Sequence, residues 1–127
     1  MDPAAHRAAN RLVANPEAAA TLECTITGPS IRFAVTTAFA VTGADLGAVL
    51  ERADKGSWEV PLGLSVLART GNVLSFRGRR AGCRAYVAFA GGIDVPLVLG
   101  SRATDLTAGL GGIEGRALRA GDHLALC

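Results

Sequence analysis

Lysine is almost missing from this chain of 127 residues: Lys55 is the only one, and arginine supplies the rest of the 13 basic residues set against 11 acidic ones. The charges stand singly and sum to +2. No cationic stripe is available to track a phosphate backbone, so nucleic acid is not an expected partner. No apolar run approaches the roughly 18 residues that cross a bilayer, and Met1-Asp2-Pro3 lacks the cationic start and apolar stretch of a secretory signal. No membrane partner is expected, and the expected location is cytoplasmic. Cys24, Cys83 and Cys127 are an odd number with no C-x-x-C pair, which argues against a disulfide framework and against a zinc site. His6 and His123 are remote from each other and have no nearby ligand spacing; no metal is expected. No serine sits in G-x-S-x-G, no local base accompanies Cys83, and G-x-x-x-x-G-K-[ST] is absent. Neither a nucleophilic triad nor a self-contained ATP site is therefore encoded.

What is present is a chain of 50% apolar and 19% charged residues, enough to bury the core of one domain. Asp2 can cap a helix whose first turn holds Pro3. Ala5, Ala8, Ala9, Leu12 and Val13 then share one face at helical spacing, and Asn15-Pro16 ends the run. From Thr21 the period becomes two, with Leu22, Cys24 and Ile26 alternating with polar residues. Gly28-Pro29-Ser30 is read as the turn of a hairpin leading to Ile31, Phe33 and Val35. A third strand covers Phe39 to Thr42, and the segment through Leu50 is ambiguous. Arg69-Thr70-Gly71-Asn72-Val73-Leu74 and Arg119-Ala120-Gly121-Asp122-His123-Leu124 match as one tight turn used twice, with glycine supplying a positive φ. Seven or eight short strands with near-regular turns predict a mainly β fold, a barrel or sandwich, carrying one N-terminal helix.

The richest stretch is Arg84 to Arg116, where a strand over Ala85 to Ala90 runs into Gly91-Gly92 and on to Gly100-Ser101-Arg102-Ala103-Thr104 and Gly109-Leu110-Gly111-Gly112. Backbone rather than side chains lines such a segment. Together with Asp2-Pro3 and Ala9-Asn10-Arg11-Leu12-Val13, it resembles the allophanate hydrolase subunit 2 family, which includes the C subunit of 5-oxoprolinase and the carboxyltransferase domain of urea amidolyase. The resemblance implies a cyclophilin-like β-barrel, present in part. Residues 1–127 would form a single domain resembling most of the first half of the biotin-dependent carboxyltransferase-like domain. The preceding N-terminal strands and the second half would be absent, which implies a fragment, a mis-assigned start or a naturally shortened paralogue. Unpaired edges would then favour a homo- or hetero-oligomer. The chain departs from the family pattern at Ala14, where relatives usually carry Gly, and at Ala103, where they often carry Ser.

Arg102 has the planar fork that suits a carboxylate, an acyl phosphate or a ureido group; the alternative is a structural pair with Asp94 or Asp105. Asp45 is the second candidate acid, against a turn-stabilising role. Gly91, Gly92, Ser101, Thr104, Gly111 and Gly112 are the candidate substrate-binding residues, through main-chain amides and hydroxyls, with local capping as the alternative. The family further implies a subunit of an ATP-dependent enzyme that opens 5-oxoproline or carboxylates urea, acting on a small-molecule amide with an allophanate hydrolase subunit 1-like partner. No cofactor is expected on this chain alone. ATP or carboxybiotin would belong to the full complex, since Lys55 lacks the flanking methionines of a biotin acceptor. The alternatives are a regulatory module that antagonises a kinase inhibitor, as some relatives do, and an inactive truncated paralogue.

Overall fold

A computed structural model describes residues 2–52, 55–94 and 122–126. The helix predicted at the start is α1, Pro3–Leu12, with Pro3 in its first turn and the Asp2 carboxylate accepting from the Ala5 amide at 3.1 Å. Eight strands follow: β1 (Leu22–Thr25), β2 (Ile31–Arg32), β3 (Thr37–Asp45), β4 (Ala48–Arg52), β5 (Gly56–Glu59), β6 (Ser65–Ala68), β7 (Val73–Phe76) and β8 (Ala81–Phe89). The fold is mainly β with one N-terminal helix, as the sequence predicts. Its strands form two four-stranded antiparallel sheets, β1-β8-β3-β6 and β2-β7-β4-β5, which do not close into a barrel among the described residues.

Two local readings are corrected by this topology. Gly28-Pro29-Ser30 does not close a hairpin, because β1 pairs with β8 while β2 pairs with β7 in the other sheet. The Thr70-Gly71-Asn72 turn likewise carries the chain from one sheet to the other, β6 to β7. Gly71 does take the positive φ expected of it, +90°. A glycine turn reports that the chain reverses; which strand it meets afterwards is decided by non-local burial.

One apolar cluster lies between the sheets, drawing Leu22, Phe39, Val41, Ala85, Val87 and Phe89 from the first and Leu50 and Leu74 from the second. A second cluster forms where α1 covers the outer face of the first sheet, with Ala9 and Val13 against Ala40, Tyr86 and Ala88. Strand β8 is central and buried on both faces from Ala85 to Phe89. That double burial explains its unbroken apolar run, where a strand with one wet face would alternate.

The helix is tied down by polar contacts at its first turn. The Thr42 hydroxyl donates to the Ala5 carbonyl at 2.6 Å, and the Asp2 amide donates to the Tyr86 hydroxyl at 2.7 Å. That hydroxyl donates onward to Glu23 at 3.0 Å. Burial, with the Glu23 carboxylate beside it, pushes the Tyr86 phenol above its ordinary value.

Candidate functional site

The exit of β8 is built by the end of α1. The helix stops with the Ala14 amide donating to the Arg11 carbonyl and the Asn15 amide to the Asn10 carbonyl, at 3.1 and 2.9 Å. This is the two-bond Schellman arrangement, and its pivot normally lies in the left-handed region. Here the pivot is Ala14, at φ +59°. It turns the Asn15 side chain inward, where its amide group donates to the Phe89 carbonyl at 2.7 Å and its oxygen accepts from the Gly91 amide at 2.8 Å. Asn10, fully buried, accepts from Asn15 at 3.3 Å and donates to the carbonyls of Glu17 and Ala19.

Two of the predicted site residues, Gly91 and Gly92, therefore sit on a turn whose amides are engaged within the fold. Gly91 donates to Asn15, and Gly92 donates to the Phe89 carbonyl at 2.9 Å. Gly91 is exposed, so bare main chain faces solvent there. Gly92 is buried, and a methyl group on it would lie 3.2 Å from the Ala19 side chain. Asp94 resumes the backbone pairing by donating to the Ala125 carbonyl, next to the Ile93–Leu126 bridge.

Asp45 stands elsewhere. It pairs with Ala81 after a bulge that separates it from Gly43, whereas Phe39 pairs with Phe89. Six residues of strand therefore separate Asp45 from Phe39, the β3 residue opposite the end of β8, roughly 20 Å at about 3.4 Å per residue. The structure does not bring Asp45 and Gly91 together. The Asp45 carboxylate accepts from the Gly47 amide at 3.0 Å, which is the turn-stabilising alternative for this residue. The same residue lines an open cleft of about 830 Å³ beyond the start of α1, with Asp2, Ile26, Leu62, Cys83 and Arg84 around it. Ile26 adopts φ +66°, costly for a β-branched residue. Arg84 is drawn toward Glu23, with Nε 3.7 Å from the carboxylate. Two carboxylates and a guanidinium on partly apolar walls suit the binding of a small polar molecule. Among the described residues no nucleophile in this cleft is hydrogen-bonded to a base, and no group of three metal-ligating side chains occurs.

Arg102, Ser101, Thr104, Gly111 and Gly112 lie outside the described residues. What sequence reasoning missed is Asn15, read only as a helix stop. The signal was two asparagines, Asn10 and Asn15, bracketing a helix end, where a carboxamide that becomes buried must find partners.

A helix laid on one face of an antiparallel two-sheet assembly, with main chain exposed at the exit of its central strand, defines a mainly β domain. A model of the carboxyltransferase domain, subdomains A and B, matches residues 1–127. The chain belongs to this carboxyltransferase-domain family. It is similar to the C subunit of 5-oxoprolinase from Escherichia coli, with 41% identity over 127 residues, covering 99% of this chain and 39% of that protein. It is 40% identical over 126 residues to urea amidolyase of Saccharomyces cerevisiae, covering 99% of this chain but 7% of that one. The solved urea carboxylase of Kluyveromyces lactis superposes with a TM-score of 0.90 at 38% identity, over 99% of this chain and 11% of that one. The sequence thus spans well under half the length of these relatives.

No helix among the described residues is long and apolar enough to cross a membrane.

Proposed function

We propose that this chain is the first-half portion of a carboxyltransferase-type domain in an ATP-dependent enzyme that processes a small amide, with 5-oxoproline or urea as the substrate class. The observation that carries this reading is the match of the whole chain, at closely similar identity, both to a 5-oxoprolinase subunit and to a urea amidolyase. The two chemistries share one demand. An amide is stabilised by resonance, so its carbonyl must be polarised and the negative charge that develops must be met by fixed donors. Arg102 supplies a guanidinium for that purpose, and Ser101, Thr104, Gly111 and Gly112 supply hydroxyls and main-chain donors near it in sequence. The Gly91–Gly92 turn is read as a further part of the substrate-binding surface. Asp45, at the opposite end of the sheet, serves a second contact surface instead of the same reacting atom.

ATP and carboxybiotin belong to other parts of the complex in this reading. The phosphate-cradling loop with its following lysine is absent from the sequence, and Lys55, the one lysine, sits exposed just before β5. No step here runs through either group. A subunit 1-like partner is proposed to complete the site, and the open sheet edges are proposed to be covered in a homo- or hetero-oligomer.

The test is reconstitution of the longer protein with its subunit 1-like partner, assayed for ATP hydrolysis driven by 5-oxoproline and, separately, by urea. One of the two is expected to stimulate hydrolysis, and Arg102→Ala is expected to abolish the stimulation. Full activity from residues 1–127 alone, or an unaffected Arg102→Ala complex, would overturn the reading.

A further inference from the structure

We infer that Asn15 is the positioning residue for the Gly91–Gly92 turn, setting where exposed main chain meets the carbonyl substrate of the proposed reaction. The inference rests on that proposed reading and adds a residue to it. Strand pairing ends at Phe89 and Ala90, with the Ala90 amide donating to Ala38. Beyond that point the sheet no longer dictates the backbone path. Gly91, at φ +91° and without a side chain, has great freedom of its own. The Asn15 carboxamide removes that freedom by gripping the turn on both sides, accepting from Gly91 and donating to Phe89 at 2.8 and 2.7 Å.

The grip is itself rigid. Asn15 is 9% exposed, its remaining donor goes to Asn10, and Asn10 is fully buried and anchored on two carbonyls of residues 17 and 19. The carboxamide therefore has one orientation, and the turn inherits it. No simpler side chain does this, because the turn presents one acceptor and one donor and only a carboxamide answers both at this reach. A merely structural helix stop needs no such complementarity with a segment 76 positions away.

The test compares wild type, Asn15→Leu and Asn15→Asp in the assembled complex. For Asn15→Leu the substrate KM is expected to rise about tenfold with kcat within about twofold, the signature of lost binding geometry. Amide exchange at Gly91 is expected to accelerate about tenfold relative to Val87 in the core. Asn15→Asp keeps an acceptor for Gly91, but as a carboxylate it cannot donate to Phe89; a protonated carboxyl can. Its KM should therefore fall toward the wild-type value as pH is lowered from about 8 to about 5, a trend absent from wild type. Wild-type KM and kcat in both folded variants would overturn the inference and leave the proposed function standing. A wild-type complex that turns over neither compound would overturn the proposed function and the inference with it. Should Asn15→Leu fail to fold, a flat KM profile for Asn15→Asp overturns the inference by itself.

Discussion

Ala14 holds a backbone conformation that its own side chain opposes. At φ +59° its Cβ crowds the neighbouring carbonyl, and it does so at the pivot of the bonds that end α1. Ala14→Gly removes the crowding; the expected gain is about 1 kcal/mol in urea denaturation, with the slope unchanged. A loss of stability would show that the glycine's extra freedom in the unfolded chain outweighs the relief. Cys24 makes a second prediction, because burial, with Glu23 adjacent, raises its thiol from the usual 9.0 to about 11. The folded protein holds that proton longer than the unfolded chain does, so the thiol's contribution is constant below pH 9.0 and declines toward pH 11. The decline amounts to roughly 2 kcal/mol by linkage. Cys24→Ala should flatten that limb of the stability profile; an unchanged alkaline slope would mean another group causes it. At this scale the sequence was legible where a residue acts on its near neighbours, as Asp2 does on Ala5. It was opaque where the partner is remote, as with Asn15 and Gly91 or Tyr86 and Asp2.

At the scale of elements, α1 could be read almost residue by residue, because a cap, a proline and a helical apolar stripe are all local signals. What holds it to the sheet was not visible. The buried Thr42 hydroxyl bonds to the Ala5 carbonyl, a group that already belongs to the helix, so its deletion leaves no carbonyl without a helical partner. Thr42→Val is therefore expected to cost about 1 kcal/mol, the net worth of one hydrogen bond, and no more. Thermal unfolding should show this, with faster amide exchange in the first turn of α1 and none in β8. A loss several times larger would mean the hydroxyl organises the packing of the helix as well as its attachment. The strands were legible as strands and illegible as pairs. β1 and β2 look like a hairpin because a Gly-Pro turn lies between two apolar runs, yet the deeper burial available on either side of β8 draws β1 away. β4, ambiguous in the sequence, is settled by neighbours on both sides, β5 and β7.

For the whole molecule, the motifs of the glycine-rich stretch disclosed the family, while composition alone disclosed only a β-rich domain. Among the described residues the two sheets leave four edge strands, and the Arg52 side chain bridges two of them. Arg52 of β4 donates to the Leu67 carbonyl of β6 at 3.2 Å, and its guanidinium carbon lies 5.6 Å from the centre of the Trp58 ring on β5. Both strands are edges, β5 of one sheet and β6 of the other. Trp58 is 49% exposed and Leu67 48%, with Leu64 just ahead of β6 more exposed still. Arg52 satisfies one edge carbonyl, but among the described residues this rim carries apolar side chains beside backbone that no neighbouring strand pairs, the combination that recruits another chain. Residues 1–127 in isolation should therefore associate, and light scattering across a concentration series should give a mass at least twice that of the monomer. Leu67→Glu places a carboxylate on the rim without disturbing the core-facing Ala68 and should return the monomer mass with little change in melting temperature. A wild-type chain that stays monomeric at every concentration would show that Arg52 and the twist of the short strands already close this edge. The cover that a partner chain would supply would then have to lie elsewhere, at β1 or β2.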